Sequence, residues 1–249
     1  MTKALRGEEE FRDRFYFITR RASHCFKSLR GDLAGKRVVV VGCSDGGVTP
    51  LARMGVYVEG IDISAVSIDK LNRSIDKEGL RQYANARVMD AENLDYGEKS
   101  LDAIACTGVL HHLDTEVALR SWARCLNDEG FVLMFEPLAL HPLVAVFRAF
   151  TPSMHTPDEH PLTEKDFALM SSYFERIERY NFALFTPISA AIAVVPGLAW
   201  LARLLLPSLE AADVLTLRLL PFLGRFCWLT VVKLGGPRLR PNTAAMVSS

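Results

Sequence analysis

A short glycine-containing turn between two apolar strands is the feature of this sequence that most constrains its fold. The valine run Val38 to Val41 leads into Gly42-Cys43-Ser44-Asp45-Gly46-Gly47, and a second apolar segment ends at Asp62 after one helix length. This order predicts a strand, a tight turn, a helix and a second strand that delivers an acid. Glycines let the backbone approach a ligand, and a carboxylate about twenty residues further on accepts hydrogen bonds from both hydroxyls of a ribose. The pattern therefore predicts a nucleoside cofactor.

Strand and helix signals continue to alternate as far as Pro137. The predicted elements are a helix from Ser64 to Lys77, a strand from Ala86 to Met89 that delivers Asp90, a buried strand from Leu101 to Cys106, a helix from Thr115 to Leu126, a loop from Asn127 to Gly130 and a strand from Phe131 to Phe135. This alternation predicts an α/β fold with a doubly wound, mostly parallel sheet, whose ligands lie at the carboxyl ends of the strands.

We expect one decorated domain, because 249 residues with 49% hydrophobic side chains can bury one large core. Two late segments, Phe174 to Phe182 and Phe226 to Leu234, alternate like strands and are predicted to pair antiparallel at the sheet edge. An apolar helical insert then lies between the last two strands. The predicted organisation is a helical cover over residues 1–35, a cofactor-binding core over 36–182, an apolar insert or lid over 183–225, a final strand over 226–234 and a flexible tail over 235–249.

Charge and cysteine content argue against several classes of protein. The 29 basic and 29 acidic residues give a formal net charge of zero, which disfavours a broad electrostatic surface for nucleic acid. The five cysteines form neither CxxC pairs nor the close, even spacing of a disulfide scaffold or a zinc site, and we predict no metal. Residues 1–21 lack the apolar core of a secretion signal, so a cytoplasmic location is expected.

The motifs between Lys36 and Pro137, taken as an ordered set, resemble those of class I S-adenosylmethionine-dependent methyltransferases. The small-molecule enzymes of this family have a fourth strand that opens into a segment like Thr107-Gly108-Val109-Leu110-His111-His112-Leu113. The resemblance implies a Rossmann-like fold and S-adenosyl-L-methionine as cofactor. It implies cofactor contacts from Gly42, Cys43, Ser44, Gly46, Asp62, Ile63, Asp90, Ala91, Glu92 and Thr107.

Within that set, the resemblance implies that the glycine turn wraps the methionine portion, that Asp62 binds the ribose hydroxyls, and that Asp90 to Glu92 flank the adenine. Two positions depart from the family pattern. Val40 stands where the family usually has an acid, and Ser44 stands where it usually has a glycine. An NAD site fits less well, because a dinucleotide pattern beginning at Gly42 lacks its second glycine and leaves Asp90 without a role.

Four side chains are candidates for catalysis. Methyl transfer from a sulfonium is an in-line displacement, so a base is needed only when the acceptor carries a proton. His111 and His112 follow the fourth strand, Glu136 ends the fifth, and His160 lies in a loop rich in histidine and acid. A neutral imidazole accepts a hydroxyl proton near neutral pH. The alternatives are local packing for a histidine, substrate binding or helix capping for Glu136, and hydrogen bonds that order the loop for His160.

The apolar insert indicates an apolar acceptor. Asn181 to Ala202 carries no formal charge, but Pro187 and the Pro196-Gly197 pair favour two short helices over a membrane span. Trp200, Arg203, Arg218 and Arg225 are of the types found at a lipid interface. Peripheral membrane contact, a homodimer interface through residues 183–225 and a substrate lid remain alternatives.

The sequence therefore favours a methyltransferase that modifies an oxygen of a hydrophobic small molecule or lipid-like acceptor. A different class of protein is the alternative, because Val40 and Ser44 are also compatible with a non-catalytic protein that kept the fold and binds a partner or a membrane through its insert. An NAD-dependent dehydrogenase comes third.

Overall fold

The structure is a computed structural model that describes residues 18–43, 47–150 and 159–239. Ser44 and Gly46 of the predicted cofactor turn therefore lie outside the described residues. The same holds for residues 1–17 of the predicted helical cover, for most of the loop that precedes His160, and for residues 240–249 of the predicted tail.

Seven strands form one sheet. They are β1 Arg37–Val41, β2 Tyr57–Asp62, β3 Ala84–Val88, β4 Leu101–Thr107, β5 Leu126–Pro137, β6 Phe174–Phe182 and β7 Leu229–Pro237. Their order in the sheet is β3-β2-β1-β4-β5-β7-β6, and the strands from β3 to β5 pair in parallel. The predicted doubly wound, mostly parallel sheet is confirmed.

The last strand, β7, runs antiparallel to β6. At one end of the pair the N–H of Trp228 donates to the carbonyl of Ala183 at 3.0 Å, and at the other the N–H of Arg238 donates to the carbonyl of Tyr173 at 2.8 Å. The strand begins at Leu229, later than the sequence pattern indicated, because Pro221–Phe226 forms a 3-10 helix.

Most of the strands are followed by a described helix. The described helices are α1 over 18–29, α2 Val48–Ala52, α3 Ala65–Lys77, α4 Thr115–Cys125, α5 Pro142–Phe150, α6 Glu164–Tyr173, α7 Pro187–Val194 and α8 Ala199–Leu219, with a second 3-10 helix at Leu110–His112. The chain groups into two compact units. In the described ranges, one unit holds 26–43, 47–136, 159–179 and 231–239, and the other holds 18–25, 137–150 and 180–230.

The core of the first unit explains why the valine run forms a central strand. Val38 and Val40 are buried together with the apolar residues of β2, α2 and α3. Val40, which stands where the family usually has an acid, is thus a packing residue. Gly60 of β2 lets α3 approach the sheet, because a Cβ there would lie 2.7 Å from Cδ2 of Leu71. Close packing between β2 and α3 therefore helps to fix how near the helix lies to the sheet.

The segment from Asn127 to Gly130 was predicted to be a loop that precedes the fifth strand, whereas in the structure it is part of β5. The register against β4 explains the difference. Leu126 lies opposite Leu101, but Phe131 lies opposite Ala103, so four residues of β5 lie opposite the single residue Asp102 of β4. The side chain of Asn127 accepts from the N–H of Glu129 at 3.1 Å and supports this bulge. A polar, glycine-containing stretch forms such a bulge as readily as a loop.

The second unit contains the helices of the apolar segment. α7 and α8 pack on each other, with the hydroxyl of Ser189 donating to the carbonyl of Ala202 at 2.7 Å. Asp213 of α8 is buried and accepts hydrogen bonds from the N–H of Phe185, at 2.6 Å, and the hydroxyl of Thr186, at 3.3 Å, just before α7 begins. Burial raises the pKa of this carboxyl. A buried acid therefore holds the start of α7 against α8.

The two helices differ from the expected pair of short ones, because α8 has 21 residues and continues through Pro207. Proline lacks the N–H that would bond one turn back, but an exposed proline in a long helix is tolerated when packing holds both sides. Among the described helices, none combines the length and the apolarity needed to span a bilayer.

Candidate functional site

The carboxyl ends of four parallel strands gather the predicted cofactor residues that the structure describes. Gly42 follows β1, Asp62 ends β2, Asp90 follows β3 and Thr107 ends β4. Val41 lies opposite both Ile61 and Cys106, so the residues that follow these strands are neighbours at one edge of the sheet. This is the edge at which doubly wound sheets bind their ligands.

Gly42 makes the sharp exit from β1. Its φ is +80°, a region that favours glycine, and its N–H donates to the carbonyl of Ile61 at 2.9 Å. A Cβ at this position would lie 2.6 Å from Cγ2 of Val109. Both the backbone conformation and the contact with the segment after β4 therefore require glycine.

Replacing Gly42 with alanine is expected to lower the free energy of unfolding by about 1 to 3 kcal/mol. The new methyl group would be strained by the left-handed backbone conformation and would also collide with Val109. Gly47→Ala is the matched control, since Gly47 has a φ of −66° and its nearest contact to a new Cβ would be 3.4 Å. Urea denaturation of both variants measures the difference. Equal losses in the two proteins would contradict the explanation.

Asp62 organises the edge through its carboxylate. One oxygen accepts from the N–H of Cys43 at 2.9 Å and the other from the N–H of Ser64 at 2.8 Å. The side chain is half-buried, and each oxygen has a further lone pair for an incoming hydroxyl. Ile63, the next residue, is 79% exposed. An acid that can accept two more hydrogen bonds thus lies beside an uncovered apolar side chain, which suits a ribose that carries a flat base.

Cys43 contributes its backbone rather than its thiol. Desolvation by the surrounding protein, together with the charge of Asp62, raises the pKa of the Cys43 thiol to about 12. The thiol is therefore neutral at physiological pH and a poor nucleophile.

The loop after β3 is held in place by hydrogen bonds. The indole of Trp122, which is fully buried in α4, donates to the carbonyl of Ala91 at 2.8 Å. Glu92 accepts from the N–H of Asp114 at 2.8 Å, and the exposed Asp90 accepts from the N–H of Glu92 at 2.9 Å. The three residues predicted to flank the adenine therefore form an ordered loop. Sequence reasoning did not identify the support from Trp122, because a buried aromatic on an amphipathic helix is normally a packing residue.

Glu136 occupies a different position from the one expected of a residue that faces substrate, because it is only 1% exposed. One carboxylate oxygen accepts from the N–H groups of Val109 and Leu110, both at 3.0 Å. The other lies 2.7 Å from Nδ1 of His111. The physical reason is that the 3-10 helix after β4 folds over the end of β5, and its N–H groups need an acceptor once they are buried.

The structure brings the four predicted catalytic residues together. His111 is 6% exposed, and its Nε2 lies 3.8 Å from a carboxylate oxygen of Glu159. Its carbonyl accepts from the N–H of His160 at 2.8 Å. The ring of His112 lies against that of His111, with their centroids 4.1 Å apart and their planes inclined by 38°. Glu136 and His111 thus form the buried part of the cluster, and His112 and His160 form its exposed part.

The two neighbouring histidines differ in their surroundings. His112 is exposed, yet desolvation by the protein around it lowers its pKa, and the charge of His111 adds to this effect. The charges of Glu159 and Glu136 act in the opposite direction without reversing it. His112 is therefore a neutral imidazole at physiological pH, able to accept a proton.

Other regions of the described chain offer less. In the described ranges, no group of three or more histidine, cysteine, aspartate or glutamate side chains is placed to hold a metal ion. An open depression of about 260 Å³ is lined by residues that include Arg37, Tyr57 and Tyr83. It lies at the amino ends of the parallel strands, away from the histidine cluster and Asp62.

Comparisons with known proteins show similarity over the part of the chain that contains β2 to β4. A family model described as "Methyltransferase domain" matches residues 39–134, which include most of β1, all of β2 to β4, the histidine pair and most of β5. The ubiquinone biosynthesis O-methyltransferase of Xanthomonas oryzae pv. oryzae is 36% identical over 108 residues, which cover 42% of this chain and 44% of that protein. The phosphatidylethanolamine N-methyltransferase of Cereibacter sphaeroides is 28% identical over 138 residues, 54% of this chain and 66% of that protein.

Among solved structures, geranyl diphosphate C-methyltransferase from Streptomyces coelicolor A3(2) superposes with a TM-score of 0.59 at 17% identity, over 88% of this chain and 81% of that one. This likeness shows the fold. The chain spans less than half the length of the Xanthomonas relative. Residues 39–134 therefore match a methyltransferase domain, and the fold is that of solved methyltransferases.

Proposed function

We propose that this chain transfers the methyl group of S-adenosylmethionine to an oxygen of a hydrophobic small-molecule or lipid-like acceptor. The proposal is carried by one arrangement: an exposed, neutral histidine, backed by a buried Glu136–His111 pair, at the strand edge that also presents Gly42 and Asp62. On this proposal, cofactor binding and proton acceptance occur side by side.

The residues at this edge fit the cofactor. Gly42 turns the chain sharply out of β1 beside Asp62, Asp62 can accept both ribose hydroxyls, and Ile63 offers an apolar surface to the base. Asp90 lies at the end of the next strand, where it can accept from the base. When bound, S-adenosylmethionine supplies an electrophilic methyl group on a sulfonium. The protein's task is then to hold two reactants in line and to exclude water.

An oxygen acceptor is favoured by His112. An alcohol or phenol must lose its proton as the new carbon–oxygen bond forms, and His112 would take that proton on a ring nitrogen. Glu136 would act as a positioning residue, because it orients His111 and thereby the ring that packs against His112. The names of the relatives, which include an O-methyltransferase of ubiquinone biosynthesis and a phosphatidylethanolamine N-methyltransferase, support a lipid-like acceptor.

The proposal is tested in two stages with the full chain. Calorimetric titration with S-adenosylmethionine and S-adenosylhomocysteine is expected to show binding, while NAD, the control, is expected to show none. Labelled methyl transfer is then measured on lipophilic phenols, carboxylic acids and phosphatidylethanolamine. Label on oxygen supports the proposal, whereas label only on the amine would reassign the acceptor atom. A folded protein that binds neither nucleoside would overturn the proposal in favour of a non-catalytic protein.

His112→Ala is expected to lower kcat by about 100-fold or more, because it removes the proton acceptor. Since the pKa of His112 is lowered, the wild-type rate should stay high down to about pH 6.5, the ordinary pKa of histidine, and fall only below it as the ring becomes protonated. A pH profile of kcat/KM measures this. His24→Ala, which changes an exposed histidine of α1, serves as the control and should leave the profile unchanged. An acidic limb that survives in His112→Ala would assign the base to another group.

A further inference from the structure

The exposed face of α8 is unusually apolar for a helix at a protein surface. Its large exposed side chains are three or four residues apart, or about three helical turns apart, so they lie on one side of the helix. Trp200 is 63% exposed, Leu204 65%, Leu215 59% and Leu219 68%. We name the outward face of α8 as the exposed residues Trp200, Arg203, Leu204, Val214, Leu215, Arg218 and Leu219.

The opposite side of α8 is already occupied by protein. Ala202 and Leu206 are buried, and Leu206 packs in a cluster with Ile18 of α1 and Ala190 of α7. The outward face is therefore not the side by which α8 joins its own unit.

The acids of α8 are buried or partly shielded from solvent, whereas its arginines are exposed beside apolar side chains. A surface helix normally buries its apolar side chains and turns its acids to water. Within α8, which the structure describes in full, Asp213 is 3% exposed and Oε1 of Glu210 is shielded from solvent. The ionised groups on the outward face are Arg203 and Arg218, and the exposed Arg225 follows soon after the helix. The face that meets solvent is therefore apolar and cationic.

The chain beyond the helix continues this character. Leu220, just before the 3-10 helix, is 44% exposed, and Phe222, within it, is 59% exposed; both precede Arg225. Aromatic and branched apolar side chains interleaved with arginines are typical of helices that lie in the plane of a membrane interface. There the apolar groups enter the acyl boundary while the guanidinium groups reach the headgroups.

Charge distinguishes the candidate occupants. A second copy of this chain would present the same arginines to Arg203 and Arg218, so a symmetric pairing of these faces would bring like charges together. An anionic lipid surface complements the arginines and accepts the apolar side chains at the same time. We propose that the outward face of α8, with Leu220 and Phe222, binds the surface of an anionic bilayer, with the helix lying parallel to that surface. This binding does not depend on methyl transfer.

The test is co-sedimentation of the full chain with vesicles of phosphatidylcholine alone and of phosphatidylcholine mixed with phosphatidylglycerol. We expect strong binding to the mixed vesicles, weaker binding to the neutral ones, and a loss of the difference at high salt. Binding to neither preparation, or equal binding to both at low and high salt, would overturn the proposal.

Variants on the face separate the apolar contribution from the charged one. Leu204→Glu and Leu215→Glu should each weaken binding to the mixed vesicles by about 10-fold or more. Each removes apolar contact and adds a negative charge that the anionic lipids repel. Arg203→Ser and Arg218→Ser should each weaken it by roughly five-fold. Met54→Glu is the matched control, since Met54 is 47% exposed and belongs to the other unit, and its binding should stay unchanged.

Sedimentation velocity without vesicles identifies the competing occupant. A monomer that binds mixed vesicles supports the proposal. A dimer that dissociates in Leu204→Glu, combined with no vesicle binding by the wild-type chain, would assign the face to a second copy instead. Circular dichroism melts establish that each variant is folded, and because these substitutions are on an exposed face, their melting temperatures should match the wild type.

Discussion

Glu136→Ala is expected to lower the free energy of unfolding by about 3 to 5 kcal/mol, because three buried donors lose their acceptor at about 1 to 3 kcal/mol each. The carboxylate is almost completely buried and accepts the N–H groups of Val109 and Leu110 as well as Nδ1–H of His111. Alanine leaves these three donors without their acceptor in a site that water does not reach. Urea denaturation at neutral pH measures the loss.

Glu136→Gln separates the two functions of this carboxylate. The amide oxygen can still accept from Val109 and Leu110, but its NH₂ group cannot accept from Nδ1–H of His111. We expect a smaller loss of about 1 to 2 kcal/mol, together with a lower methyl-transfer rate and unchanged cofactor affinity. If the glutamine variant is as unstable as the alanine variant, the backbone contacts are not the main source of stability. If its rate equals that of the wild type, Glu136 does not position His111 for the reaction.

The sequence was sufficient to predict the parallel part of the fold. A run of valines can form a central strand, a glycine at positive φ can leave it sharply, and an acid one strand later must then lie at the same edge. Gly42 and Asp62 are indeed adjacent because β1 and β2 pair in register. These features depend on local periodicity and on chain connectivity, both of which can be read from the sequence order.

The burial of Glu136 could not be predicted in the same way. Topology places the end of β5 beside the end of β4, but it does not say which of the side chains there will reach solvent. That depends on the 3-10 helix Leu110–His112, whose N–H groups turn towards the carboxylate. A non-local hydrogen bond between two strand ends leaves no periodic signal. Val40 is a related case, since the sequence shows that it replaces the family's usual acid but only the structure shows that it packs in the core.

The helical segment before β7 shows another limit of sequence reasoning. Its composition indicated an apolar surface, and its prolines and glycine suggested two short helices, but α8 continues through Pro207 for 21 residues. The acids Glu210 and Asp213 could have been on either face. Asp213 turns inward because the N–H of Phe185 and the hydroxyl of Thr186 provide its partners, and this leaves an apolar and cationic face outside. Long-range partners for a buried acid decided the orientation.

Asp62→Ala is expected to weaken binding of S-adenosylmethionine and S-adenosylhomocysteine by about 100-fold, because two hydrogen bonds from ribose hydroxyls to a charged acceptor are lost, at about 1.5 kcal/mol each. Calorimetric titration measures this directly. The same carboxylate also accepts the N–H groups of Cys43 and Ser64, so some of the effect could come from a disturbed turn rather than from the lost ribose contact. A control must therefore remove a similar structural bond elsewhere.

Asp102→Ala provides that control. Asp102 lies near the start of β4, at the other edge of the sheet, and accepts from the N–H of Arg37 at 2.8 Å and from the side chain of Asn127 at 3.0 Å. We expect it to lower stability in urea while leaving cofactor affinity within about two-fold of the wild type, because it is remote from the carboxyl ends of the strands. Asp62→Asn should lie between alanine and the wild type in affinity, since its amide oxygen still accepts from one hydroxyl. If Asp62→Ala binds as tightly as Asp102→Ala, the ribose is held by another group, and Asp62 serves only to order the turn after β1.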